Sequence, residues 1–563
     1  MKFADFKYEH LNYEDLAKEY SALIEELKAT KNASEFMPIF KKINEFRGHF
    51  MTMISICNVR HTVDTSDKYY DEENTYWDNT SPQLQVYENA FFDVLLTCPF
   101  KDELTIPAVF FKLIENAKKS FDEKIIAELQ EENRLTTEYG KLKASAKIEL
   151  DGEIYNLASI ASKVSDKDRD IRKKAYDAMT KFYEEHEADF DDIYDKLVKV
   201  RDKMAKKLGY ENFIELGYLR MNRLDYNQEM VENYRRQVVE SMVPVASDLY
   251  KRQASRIGVD HLKAYDLNFE FKTGNPKPQG NKDELVAKAL KMYQEMSKET
   301  GEYFTKMCEM ELFDLETKPN KEMGGYCTDF FDYKVPFIFS NFNGTQGDVD
   351  VLTHEAGHGF QSYLSMETID IPDICFPTYE SCEIHSMSME FFAHPWMDSF
   401  FGEDATKYKF YHIAQALTFV PYGCLVDHFQ HEVYAHPEMT KDERKATFRR
   451  LEKMYKPHLD YSEYPLLEKG GFFYRQGHIF QSPFYYIDYT LAQVCALQFF
   501  KRSLENDPKA WSDYVHLCRL GGSQSFLGLV SEAGLKSPFE DGVVEDVVKA
   551  MVNELAKIDD SEL

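Results

Sequence analysis

The chain has 563 residues, with 68 Lys+Arg against 97 Asp+Glu and a formal net charge of −29. At 43% hydrophobic and 29% charged residues it falls in the ordinary globular range, neither disordered nor membrane-like. So acidic a chain opposes polyanions, which argues against nucleic-acid partners. Its longest stretch without Asp, Glu, Lys or Arg, Phe410–Val426, contains Pro421 and Gly423 and is shorter than the ~20 apolar residues of a membrane span.

At the N-terminus, charges interrupt every few residues and no apolar signal region follows, so the chain is expected to be cytoplasmic. The nine cysteines are dispersed, odd in number and without a CxxC pair, which predicts reduced thiols. Helical spacing of apolar residues runs from Tyr13 to about Lys143. Two short β-like runs then flank Asp151-Gly152, a hairpin signal that marks a seam. It divides an N-terminal helical region, residues 1–165, from a larger region, residues 166–563, which holds the motif described below. The basic run Arg169–Lys174 reads as a solvated helix face, and helical stripes continue to Ile257. Thr273–Asn281 is a Gly/Pro-rich loop. Gly324–Phe342 is aromatic and extended, the place for a small β-sheet, and after Asp348 the chain is helical almost to its end. The fold class is therefore mainly α with a small β element.

Chemistry concentrates at His354-Glu355-x-x-His358. Two imidazoles one helical turn apart can converge on one ion, and the spacing suits zinc. Glu355 lies about 100° round the helix from His354, where a general base for a metal-activated water belongs. Gly357 and Gly359 each cost a helix ~1 kcal/mol relative to Ala, which implies that a neighbouring element approaches closely there. A catalytic zinc takes a third protein ligand. The run Thr378–Phe392 offers Glu380, Glu383, His385 and Glu390, with Glu383 favoured. The extended pattern HExxHxxGxxH is excluded, because Gln361 and Leu364 occupy the required positions. His431 and His436 are spaced by five and cannot share an ion from one helix, while His428, His431, His385 and His394 read as hydrogen-bonded or core residues. Phe337-Ile-Phe-Ser-Asn-Phe precedes the motif as an extended strand able to pair with a peptide main chain.

These stretches together resemble the M3 family of zinc metallopeptidases, the thimet oligopeptidase and oligoendopeptidase F group, and most of all its compact bacterial Pz-peptidase-like branch. Glu383 stands 25 residues after His358 and opens an E-x-x-S segment completed by Ser386. Phe337–Thr345 resembles the family's substrate-pairing strand and Gly loop, Gly477–Tyr489 its C-terminal His/Tyr segment, and Asp168–Tyr176 the branch's N-terminal region. The resemblance covers roughly residues 145–500.

It implies a two-lobed, zincin-type ellipsoid with a deep channel that admits short peptides. One Zn2+ would be held by His354, His358 and Glu383, with Glu355 as general base and acid. Substrate would contact Phe339, Asn341, Phe342 and Gly344. His478, placed on a loop lining a cleft, and Tyr489 would stabilise the oxyanion, with Tyr485 and Tyr486 competing for the second tyrosine's place. The activity expected is endopeptidase cleavage of short oligopeptides. Two alternatives stand beside it: a zinc aminopeptidase of another HExxH clan, for which no Gly-x-Met-x-Asn segment occurs, and a non-catalytic peptide-binding protein.

Overall fold

The computed structural model describes residues 1–157, 159–318, 320–322 and 324–563. Helices dominate, and the strands form two small sheets. The predicted hairpin is present: β1 (Ile148–Leu150) pairs antiparallel with β2 (Glu153–Tyr155). Asp151 (φ 51°) and Gly152 (φ 87°) turn the chain between them, both in the left-handed region that a two-residue hairpin loop requires. All nine cysteines are free thiols, and among the described residues no helix is long and apolar enough to cross a membrane.

The chain divides into two compact units interleaved in sequence. Unit 1 comprises Met1–Lys118, Lys277–Ala405 and Gln498–Leu535; unit 2 comprises Lys119–Pro276, Thr406–Leu497 and Lys536–Leu563. Compactness thus partitions the chain differently from a linear division at 165/166.

In unit 1, three helices, Tyr13–Lys28, Ala33–Val63 and Lys68–Thr97, pack on one another. Asn12, Asn32 and Asp67 cap their first turns by accepting backbone N–H bonds, so each boundary is written in a short polar side chain. The sheet of this unit contains β3 (Phe313–Glu316), β4 (Tyr326–Phe330) and β5 (Val335–Phe342), in the order β3-β5-β4. β5 is the middle strand, parallel to β3 and antiparallel to β4. Both of its faces are covered. Phe337 packs against Phe3, and Pro336 lies under the helix Gly347–Ser365, 3.3 Å from where a Cβ on Gly359 would sit. A strand covered on both faces needs apolar residues at successive positions, which is why Val335–Phe339 shows no polar alternation.

In unit 2 the helix Arg169–Glu185 corrects one expectation. Arg172 is buried and, with Arg169, grips the buried Asp266 carboxylate at 3.0 and 2.7 Å, so this run is not simply a solvated face. The Asp266 carboxyl lies below its ordinary value because these hydrogen bonds outweigh its burial.

Candidate active site

The helix that carries His354 and His358, Gly347–Ser365, starts from a loop tied to its own first turn. The Asp348 carboxylate accepts the Asn343 and Gly344 N–H groups, both at 2.8 Å. His354 and His358 follow one turn apart, with ring centroids 5.0 Å apart and planes at 81°. A second helix, Tyr379–Phe392, crosses at Gly357, where an added Cβ would lie 2.7 Å from the His385 carbonyl oxygen and from Ser386 Cα. That close crossing is what the glycine permits, and it delivers Glu383 to the imidazoles. Glu383 Oε2 is 3.2 Å from His354 Nε2 and 3.4 Å from His358 Nε2.

Three donor atoms bound to one tetrahedral zinc at ~2.0–2.1 Å lie about 3.3 Å from one another, and both imidazole–carboxylate separations, 3.2 and 3.4 Å, match that spacing. His354 and Glu383 approach within 3.2 Å. His354 Nδ1 lies 2.6 Å from Glu390 Oε1, so the ring is held between two carboxylates, Glu390 on Nδ1 and Glu383 on Nε2. Ser386 Oγ, 3.0 Å from Glu383 Oε2, supports the carboxylate from the same helix. The donor set of two imidazoles and one carboxylate fits zinc.

Glu355 is buried beside this trio, and its Oε2 has no hydrogen-bond partner among the described residues. Burial raises its carboxyl above the ordinary value, opposed by the imidazoles of His354 and His358. Burial acts on Glu383 in the same direction, but its two histidine neighbours bring that carboxyl well below the ordinary value. One acid is thus biased toward accepting a proton and the other toward staying ionised, the division of labour that general base and ligand require.

In unit 2 the predicted His/Tyr segment begins as a short helix, Gly477–Gln481, in place of the loop expected around His478, and its last residues open the helix Tyr486–Leu504. The His478 ring packs against Tyr486, Tyr485 and Tyr489 at centroid distances of 4.9, 5.6 and 5.8 Å, and Tyr485 lies 4.9 Å from Tyr489. Phe484, just before these tyrosines, has φ +68°, a strained value for a side-chain-bearing residue. Buried partners hold it there: its N–H donates to Gln430 Oε1 at 2.8 Å, and its carbonyl accepts from Arg223, which also pairs with Asp488 at 3.2 Å. Gly217 makes room for the Phe484 ring, since a Cβ there would sit 2.5 Å from it.

A sequence model described as Peptidase family M3 matches residues 163–548, and one described as Peptidase M3 N-terminal domain matches residues 3–121. The chain belongs to peptidase family M3. Among solved structures, the M3 peptidase is similar to "PZ PEPTIDASE A with inhibitor 2", with 50% identity, full coverage of both chains and a TM-score of 0.95. It is also similar to a putative oligoendopeptidase F from Bacillus anthracis, with 48% identity over 100% of this chain and 99% of that one and a TM-score of 0.91. An oligoendopeptidase F homolog of Borreliella burgdorferi is 24% identical over 70% of this chain and 67% of its own length. Chromosomal oligoendopeptidase F of Lactococcus lactis is 23% identical over 70% of this chain and 65% of its own length. The chain is thus an oligoendopeptidase F-like metalloendopeptidase.

The remaining predicted positions of the M3 peptidase have other partners. β5 is paired with β3 and, over Val335–Phe339, with β4, while Ser340–Phe342 run on beyond the end of β4 along that edge. Phe339 is buried, stacked on Tyr326 at 4.7 Å with the Lys321 ammonium 4.4 Å from its ring centroid, and Phe342 is buried as well. The Asn341 amide donates to the carbonyls of Glu322 and Gly324, both at 2.9 Å. Only at Gly344 does the space beyond the backbone stay open. Glu380 is buried, with Thr378 Oγ1 3.0 Å from its carboxylate. The other histidines occupy the core roles expected, His431 bonding Tyr218 and Arg235, and His428 facing Tyr455. Glu390 was legible: it stands seven residues after Glu383, two turns along the same helix face, yet only the contact to Nδ1 gives it a role.

Proposed function

We propose that this M3 peptidase hydrolyses internal bonds of short oligopeptides with one zinc ion held by His354, His358 and Glu383. The observation that carries this reading is the convergence of two Nε2 atoms on one carboxylate oxygen at 3.2 and 3.4 Å, with a buried Glu355 oxygen beside them that has no hydrogen-bond partner among the described residues. Bound there, zinc supplies Lewis acidity to a scissile carbonyl and lowers the pKa of a water. Glu390 keeps the His354 proton on Nδ1, so that Nε2 stays a lone-pair donor. Glu355 takes the proton of the attacking water and passes it to the leaving amine. His478 and Tyr489, with Tyr485 or Tyr486, donate hydrogen bonds to the carbonyl oxygen as it gains negative charge. Gly344 borders the substrate main chain. Free thiols throughout support a cytoplasmic setting. The family matches at 3–121 and 163–548 support a division of the sequence into an N-terminal region to 165 and a catalytic region beyond it.

Metal analysis of wild type and Glu355→Gln, with turnover of an internally quenched peptide blocked at both ends, tests this reading. Both proteins are expected to retain zinc, while kcat/KM of the variant falls by roughly 10³-fold. Substantial turnover by Glu355→Gln refutes the proton shuttle, and absence of metal from the wild type removes the site. Failure of the blocked peptide to be cleaved would favour an aminopeptidase or a peptide binder.

A further inference from the structure

We propose that Gln476 is a positioning residue that fixes His478 as the tautomer protonated on Nε2, making that nitrogen a hydrogen-bond donor. The inference rests on the reading of His478 as an oxyanion donor, a role that only a ring with an Nε2–H can fill. Gln476 Nε2 lies 2.8 Å from His478 Nδ1. An amide nitrogen donates and does not accept, so Nδ1 must present its lone pair and the ring proton belongs on Nε2. The orientation of the amide is set from behind, because Gln476 Oε1 accepts the Tyr422 hydroxyl at 2.8 Å. Burial drives the Tyr422 phenol well above its ordinary pKa, so this hydroxyl keeps its proton and donates. The Lys456 ammonium, 5.3 Å from the Tyr422 ring centroid, further occupies the space behind. Gln476 stands at the N-cap of the short helix Gly477–Gln481, but its side chain makes no capping bond there and is committed to His478 instead.

The same chain sets another histidine the opposite way. Glu390, a carboxylate, can only accept, so it calls for a proton on His354 Nδ1, the nitrogen facing it at 2.6 Å. Gln476, with nearly the same shape but a donor at its tip, leaves His478 with Nε2–H. A carboxylate or an amide behind the ring thus decides whether the near nitrogen carries a proton or a lone pair.

Protein labelled with ¹⁵N-histidine reports this directly. The His478 signals are assigned by their loss in His478→Ala, and Nδ1 is expected at the shift of an unprotonated, hydrogen-bonded nitrogen with Nε2 protonated. Protonated Nδ1 in the wild type overturns the proposal. Gln476→Met is expected to lower kcat roughly tenfold with little change in KM, less than the ~10²-fold cost of losing an oxyanion donor outright. In a His478→Ala background the same change should cost nothing further, whereas an undiminished loss there means that Gln476 does not act through His478. Should Gln476→Met not fold, Tyr422→Phe, which frees the amide oxygen, is expected to lower kcat by the same His478-dependent route, and an effect independent of His478 overturns the assignment. Full turnover by His478→Ala, with the ¹⁵N pattern as expected, would sink the oxyanion reading and leave the Gln476–His478 pairing standing.

Discussion

Replacing Gly357 by alanine tests the packing that brings the metal ligands together. In an isolated helix the change is favourable by ~1 kcal/mol. Here the new Cβ would lie 2.7 Å from the His385 carbonyl oxygen and Ser386 Cα and 3.0 Å from Met389 Cβ, while ordinary contact begins at 3.4 Å. Two of these three obstacles are backbone atoms and cannot rotate away, so the helices must separate by about 0.7 Å or store the overlap as about 1–3 kcal/mol of strain. His354 and His358 lie on one of these helices and Glu383 on the other. Metal–ligand distances are satisfied within ~0.2 Å, so a separation of that size is several times what the ion accepts. Zinc competition against a chromophoric chelator should show affinity reduced by at least roughly tenfold, the scale of losing one supporting contact. Urea unfolding of the metal-free protein should show a net loss of about 1–2 kcal/mol once the helix gain is set against the strain. Gly140→Ala is the control, since its Cβ would meet nothing nearer than Gln481 Nε2 at 3.9 Å. Wild-type zinc affinity and stability in Gly357→Ala would refute the argument that this crossing sets the ligand geometry.

Glu390→Ala removes the acceptor of the His354 Nδ1 proton at 2.6 Å, and zinc affinity measured by the same competition should fall 10- to 100-fold. Asp329, buried and hydrogen-bonded by Ser362, has its carboxyl pushed up to about 7 by burial. The folded protein therefore holds a proton there that the unfolded chain releases near pH 3.9, so stability falls as pH rises from about 4 to 7 and the full cost is present above that window. Asp329→Asn should be more stable than wild type at pH 8 by about 2–4 kcal/mol, with the difference closing toward pH 4, as read by urea titrations at each pH. Gly217→Ala forces a Cβ to 2.5 Å from the Phe484 ring and should cost about 1–3 kcal/mol of stability, with kcat lowered and zinc content unchanged.

The pair His354 and His358 was readable from local periodicity, whereas Glu383 was singled out by its place 25 residues on, in a segment that resembles the family's. His354 and His358 are one turn apart, Glu383 and Glu390 two turns apart, and each pair shares a helix face. The glycines at 357 and 359 announced close neighbours, and these proved to be the Ser386 backbone and the Tyr303 hydroxyl. β5 was legible as a strand of the small sheet, and its five successive apolar residues with no alternation mark a strand covered on both faces. Arg172 looked solvated because its partner Asp266 is 94 residues away. Gln476 was invisible for the same reason, since its orienting hydroxyl on Tyr422 comes from 54 residues earlier, a separation that no periodicity encodes.

The interleaving of unit 1 bears on how the protein is made. Tyr514, in the segment Gln498–Leu535, donates its hydroxyl to the His385 carbonyl at 2.8 Å and packs on Phe360 of the helix Gly347–Ser365. It leaves the ribosome 131 residues after Glu383, which at ~5–20 residues per second is a delay of roughly 7–26 s. A nascent chain therefore displays His354, His358 and Glu383 well before the segment that braces their two helices exists, so the trio is aligned only after Gln498–Leu535 has been made.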